Sequence, residues 1–180
     1  MRSPSPSEEG PGMWSRVRRQ FLGQKVRLEV ARKMLEYGIR VSEDSRLFVG
    51  GMEVDYSALA RDVSADRRVV KQTAEQIRGD PFLFSVFSRI SPFGASLLEV
   101  VSKVGYSAIV IEADPRASGV LSAAAAVLAQ HKMIVRQALA ADPDMFPDAK
   151  LTLIVEGHIP GSVMAELEAL ETVKSVTVTK

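Results

Sequence analysis

Two groups of residues have types and spacing that suit chemistry. The first is a helical stretch in which Arg67, Arg68, Lys71 and Gln72 share one side with Glu75, Gln76 and Arg78, at about 100° per residue. Arg, Lys and Gln at the start of a helix are the side chains that reach phosphates and base edges in a major groove. The same face also suits plain solvation, because Asp62, Asp66 and Glu75 are near enough to pair with it. The second group is Asp114 and Gly119. Asp114 closes an apolar run and offers an acceptor for a cation, while Gly119 opens a helical run whose first backbone N–H groups and dipole favour an anion. On the alternative reading, Asp114-Pro115 is a turn and Gly119 a helix entry. Gln137, on a later strand run, is either a weaker ligand contact or an exposed strand residue.

Other chemistries find little material. There is no Cys, hence no disulfide, thiolate nucleophile or thiolate metal site. The two histidines, His131 and His158, have no Ser or carboxylate at a spacing that assembles a triad. No phosphate-binding glycine fingerprint and no His-Glu-x-x-His pattern occurs. Asp142, Asp144 and Asp148 lack the glycine and terminal glutamate of a calcium loop, and Asp beside Pro is ordinary turn chemistry. The sequence therefore predicts no enzyme, no metal and no cofactor.

These groups sit in a chain of 180 residues, 46% hydrophobic and 25% charged, which is the composition of a folded protein of one or two domains. Its longest apolar stretch is too short to span a bilayer and its start lacks a signal-peptide core, so the expectation is a soluble, cytoplasmic protein without a membrane partner. The 23 basic and 22 acidic residues nearly cancel, but unevenly. Residues 1–104 carry 17 basic against 13 acidic side chains, and residues 105–180 carry 6 against 9. A basic half joined to an acidic half is what a nucleic-acid-facing module attached to a small-molecule sensor would show.

The elements that position the two groups follow from periodicity. Residues 1–13, rich in Pro, Gly and Ser, read as a disordered tail. One long helix is expected from Trp14 to Leu35, with stripes at Val17, Phe21, Leu28, Ala31, Leu35 and at Leu22, Val26, Val30, Met34, closed by Gly38. Leu47-Phe48-Val49 reads as a short strand or extended turn before Gly50-Gly51. Asp55 and Asp66 are N-caps for helices over 56–63 and 67–78, and two short helices joined by a tight turn have the outline of a helix-turn-helix. Residues 14–80 are thus expected to form an all-α, helix-turn-helix-like domain, and residues 81–104, with four Phe, a packed helical connector. Beyond it the period alternates: strand 106–113, helix 119–132, strand 134–140, strand from Leu151, helix from Pro160-Gly161, and a last strand around Val176 and Val178. Strand, helix, strand, strand, helix, strand is the ferredoxin-like plan, so the fold class is α+β.

With these elements in place, residues 105–180 resemble an ACT domain, a small module that senses amino acids, with Asp114-Pro115-Arg116-Ala117-Ser118-Gly119-Val120-Leu121 as the loop between first strand and first helix. The whole chain is similar to archaeal predicted regulators of amino-acid metabolism that join a helix-turn-helix-like domain to a C-terminal ACT domain. The stretches that carry the likeness are Gly50-Gly51-Met52-Glu53-Val54, Asp66-Arg67-Arg68-Val69-Val70, Arg136-Gln137-Ala138 with Asp142-Pro143, and Glu156 with Ile159-Pro160-Gly161. ACT loops commonly place Asn or Asp and then Pro-Gly before the helix; here Ala117-Ser118 precedes Gly119.

The resemblance implies an amino acid held at a subunit interface by Asp114, Arg116, Ser118, Gly119, Val120 and Gln137. It also implies duplex DNA as a partner of Arg67, Arg68, Lys71 and Gln72, and a homodimer or higher homo-oligomer through the ACT domains. The alternative is an ACT-based interaction or regulatory subunit that does not touch DNA.

Overall fold

The computed structural model describes residues 12–114, 117–146 and 148–179, so the expected tail lies almost wholly outside the described residues. The chain divides into two compact units, residues 1–94 and 95–180, and the division falls inside the stretch expected to be a connector. Both units are mixed: helices accompany a three-stranded antiparallel sheet in the first and a four-stranded antiparallel sheet in the second. Among the described residues no helix is long and apolar enough to cross a membrane.

In the first unit the expected long helix is two helices, α1 (Met13–Gln20) and α2 (Lys25–Tyr37). The break is at Gly23, whose φ of +76° no right-handed helix contains. It changes the phase of the apolar stripes. Trp14, Val17 and Phe21 are buried, as are Val30, Ala31 and Met34, whereas Leu22 and Val26 are 76% and 51% exposed.

After α2, Gly38 at φ +64° turns the chain into β1 (Ile39–Val41), and a Cβ at Gly38 would lie within 2.4–2.7 Å of Ser91 and Pro92 backbone atoms. Glycine is required there for both reasons. β2 (Leu47–Val49) and β3 (Met52–Val54) form a hairpin across Gly50-Gly51, with Val49 opposite Met52. β1 pairs antiparallel with β2. The unit is therefore not all-α. Strands of three residues are too short to impress a period of two on the sequence, and only their pairing makes them a sheet.

The next helices start where their caps predict. Asp55 Oδ1 accepts the Ser57 amide at 2.6 Å to open α3 (Tyr56–Asp62), and Asp66 Oδ1 accepts the Arg68 amide at 2.7 Å to open α4 (Arg67–Gly79). Asp80 does the same for α5 (Pro81–Phe87), accepting the Leu83 amide at 2.8 Å, with Pro81 at the first helical position. α4 buries Val70, Thr73, Ala74 and Ile77 against the core. Phe21, Met34, Leu47, Leu83 and Phe87 are fully buried in the same unit. Each such side chain contributes about 1.5–3 kcal/mol relative to exposure.

In the second unit a 3-10 turn (Leu98–Val100) and the short α6 (Val101–Val104) lead into β4 (Tyr106–Ala113), α7 (Val120–Gln130), β5 (Val135–Ala140), β6 (Leu151–Glu156), α8 (Gly161–Glu168) and β7 (Val173–Thr179). The expected order of elements is present. The strands lie in the order β5-β6-β4-β7, all antiparallel. Ile109, Ile111, Leu153 and Val155 face Ala124, Val127 and Leu128 of α7 and Val163 and Leu167 of α8. Leu121 of α7 is 47% exposed. On the opposite face Ala108 and Ile154 pack with Val101, Leu97 and Leu98.

Candidate functional site

The described ends of the β4–α7 connection are held by backbone hydrogen bonds. The Asp114 amide donates to the Thr172 carbonyl at 3.4 Å, and the Asp114 carbonyl accepts from the Ala117 amide at 3.0 Å. Gly119, at φ +86°, precedes α7, and its carbonyl accepts both the Ala123 amide and the Ser122 hydroxyl at 2.9 Å. A cavity of about 120 Å³ opens beside this loop. One wall is Ala113, Asp114, Ala117 and Val120; the other is Ala140, Ala141, Ala149 and Lys150. An acidic residue, Asp114, and a basic one, Lys150, thus both line one small, mostly apolar space.

Of the expected loop residues, Asp114 and Val120 line the cavity, while Ser118 and Gly119 belong to the turn between them. Arg116 lies outside the described residues. Gln137 is not brought to the loop. Its Oε1 accepts the Leu97 amide at 3.0 Å and its Nε2 donates to the Ala95 carbonyl at 2.8 Å, so both ends of its amide anchor the segment that enters the unit. Gln137 opposes Ile154 on β6, whereas the cavity lies at the Ala140–Leu151 end of the same strand pair. Lys150 carries no signal in the sequence, where it is one more residue of a turn-rich loop; pairing of β5 with β6 carries it to the cavity.

Other polar groups of this unit have structural partners. His131 Nε2 lies 2.8 Å from Glu166 Oε1 and ties the end of α7 to α8. Arg136 pairs with Glu156, which holds its guanidinium above its ordinary pKa, chiefly through the hydrogen bond. Asp142 Oδ1 accepts the Asp144 amide at 2.9 Å, the local turn bond expected of Asp beside Pro. Among the described residues no group of three His, Asp or Glu gathers as metal ligands.

In the first unit, Arg67, Arg68, Lys71 and Gln72 are all exposed on the outer side of α4. They are not equivalent. Gln72 Oε1 accepts Nη2 of Arg27 at 2.8 Å, and the same guanidinium donates to Gln24 and Gln76 at 2.9 Å each. Lys71 pairs with Glu75 at 3.6 Å, and Arg78, on the same face, donates to the Glu43 carbonyl at 2.9 Å. Arg67 lies 6.0 Å from the Tyr56 ring and shares a cleft of about 220 Å³ with Arg46, Glu53 and Asp55. The Asp55 carboxyl is held below its ordinary range by hydrogen bonding to Ser57, with Arg67 and Arg61 adding to the effect. On the sheet, the Arg40 and Arg46 guanidinium groups lie 4.5 and 5.6 Å from the Phe48 ring. Arg46 is neutralised by Asp44 at 2.5 Å and Glu53 at 3.1 Å.

Comparison with protein-family models and with curated proteins returns no match for the chain.

Proposed function

We propose that the chain is an amino-acid-responsive regulator of transcription acting in the cytoplasm, with residues 105–180 as a ferredoxin-like ACT domain and residues 14–80 as a helix-turn-helix-like domain. The observation that carries the sensor half is the cavity beside the β4–α7 loop, which combines Asp114, Lys150 and the start of α7 around an apolar floor. Asp114 takes the ammonium of an amino acid; Lys150 and the first amides of α7 take its carboxylate. The order β5-β6-β4-β7, with α7 and α8 packed on one face, agrees with two split βαβ units. Edge strands β5 and β7 suit pairing with a second copy, which would make a homo-oligomer. DNA is contacted by α4 through Arg67 and Arg68. Amino acid and DNA are linked only to the extent that the two arrangements of the protein differ in affinity for each. The reading assigns the chain no reaction, metal or cofactor.

A thermal-shift screen of the twenty amino acids at millimolar concentration tests the sensor half: one or a few should raise the midpoint, and no shift with any of them sinks it.

One observation favours a second reading, an interaction or regulatory subunit without DNA binding. Gln72 is engaged with Arg27 and Lys71 with Glu75, which leaves fewer side chains on α4 to reach a duplex. Gel-shift titration at two salt concentrations separates the readings, because binding through phosphates weakens as salt rises.

A further inference from the structure

A cavity of about 400 Å³ lies in the first unit between the sheet and α3. Its walls are hydrocarbon: Ile39 and Val49, paired directly across β1 and β2, with Val54, Ala58 and Leu59. Ala58 is the residue whose small side chain leaves room on the α3 side. The rim is polar. Tyr37 and Asp62 line it, and the Tyr37 hydroxyl donates to Asp62 at 3.2 Å from each carboxylate oxygen. That shared, long bond leaves lone pairs of the carboxylate for another donor.

The charge at the rim selects the occupant. Lys33 Nζ lies 5.2 Å from the Tyr37 ring but is committed to Glu36 at 3.0 Å. Asp62 is the one charged residue among those that line the cavity, so the rim presents a carboxylate. An anionic head group would be repelled by that carboxylate, a neutral one would gain little, and an ammonium would gain a charge-assisted hydrogen bond. The volume is in the range of small-molecule sites.

We propose that this cavity binds a small amphipathic amine, with its apolar body against Ile39, Val49, Ala58 and Leu59 and its ammonium at Asp62 and Tyr37. This site is separate from the amino-acid cavity and does not depend on it. Because α3 forms one wall, the bound amine braces that helix against the sheet.

The test is titration of the full-length protein with hexylamine, with hexanol and hexanoate as neutral and anionic probes of the same length, followed by amide chemical-shift mapping. Hexylamine should give saturable shifts centred on Ile39, Val49, Ala58 and Asp62, and hexanoate none. Asp62→Asn should weaken hexylamine binding about tenfold, the loss of one charge-assisted bond, and Ala58→Phe should abolish it by filling the space. If Ala58→Phe fails to fold, Asp62→Asn at the exposed rim still decides. Hexanol or hexanoate binding as tightly as hexylamine, shifts centred elsewhere, or unchanged affinity in Asp62→Asn would each overturn the proposal.

Discussion

Arg27 on α2 donates to Gln72 on α4 at 2.8 Å, so the outer face of α4 is fastened to the start of another helix through a planar fork that also holds Gln24 and Gln76. Arg27→Ala should lower unfolding stability by about 1–2 kcal/mol, since it leaves three amide acceptors without their donor. Arg27→Lys should recover little of it, because a single ammonium cannot reproduce the fork. Urea denaturation of the three proteins measures both.

Gly38 and Gly23 both have positive φ, but only Gly38 is crowded. Gly23→Ala should cost about 1–2 kcal/mol, the left-handed penalty alone. Gly38→Ala should cost more, because the new methyl would meet the Ser91 and Pro92 backbone at 2.4–2.7 Å. Equal thermal midpoints for the two variants would contradict that packing.

The pH response of α3 follows from its cap. Asp55 has a folded pKa below its unfolded one, so the unfolded state binds more protons as the carboxylate range is entered from above. Its stabilising contribution is present at neutral pH and is lost as pH falls through the folded pKa. Asp55→Asn keeps a capping side chain and removes the charge. The wild type should lose stability relative to Asp55→Asn below about pH 4, measured by denaturation midpoints from pH 7 downward.

For DNA, Arg67→Ala and Arg68→Ala should each weaken duplex binding and reduce the salt dependence by about one counterion for each phosphate no longer neutralised. Gln72→Ala should change binding little, its side chain being held by Arg27. Fluorescence anisotropy at several salt concentrations reads both quantities.

For the amino-acid ligand, Asp114→Asn and Lys150→Ala should each reduce the thermal shift given by the active amino acid, because each removes one charge of the zwitterion's pair. Gln137→Ala should lower the baseline midpoint, since its two bonds to residues 95 and 97 are gone, and leave the ligand-induced shift intact. A Gln137→Ala protein that folds normally and shows no ligand-induced shift would return Gln137 to the ligand site.

What was legible in the sequence was local. Asp55 and Asp66 sit before helical runs, and each accepts an amide of its own first turn, a bond between residues two apart. In the second unit β4 and β6 are near-continuous apolar runs because both faces of these central strands are covered, and α7 buries Ala124, Val127 and Leu128 at helical spacing. The break at Gly23 and the strand at Ile39–Val41 were hidden, since one glycine or three residues leave a period ambiguous.

The sequence by itself therefore determined the caps, the order of elements in the second unit and the exposed basic side of α4, all set by neighbours within a turn or a pleat. Only the tertiary structure decided that Gln137 anchors Leu97, that Arg27 occupies Gln72, and that Lys150 stands across a cavity from Asp114. These are meetings of residues distant along the chain. Their partners are fixed by strand register and helix packing, and a polar side chain looks the same in sequence whether it is spent inside the protein or left for a ligand.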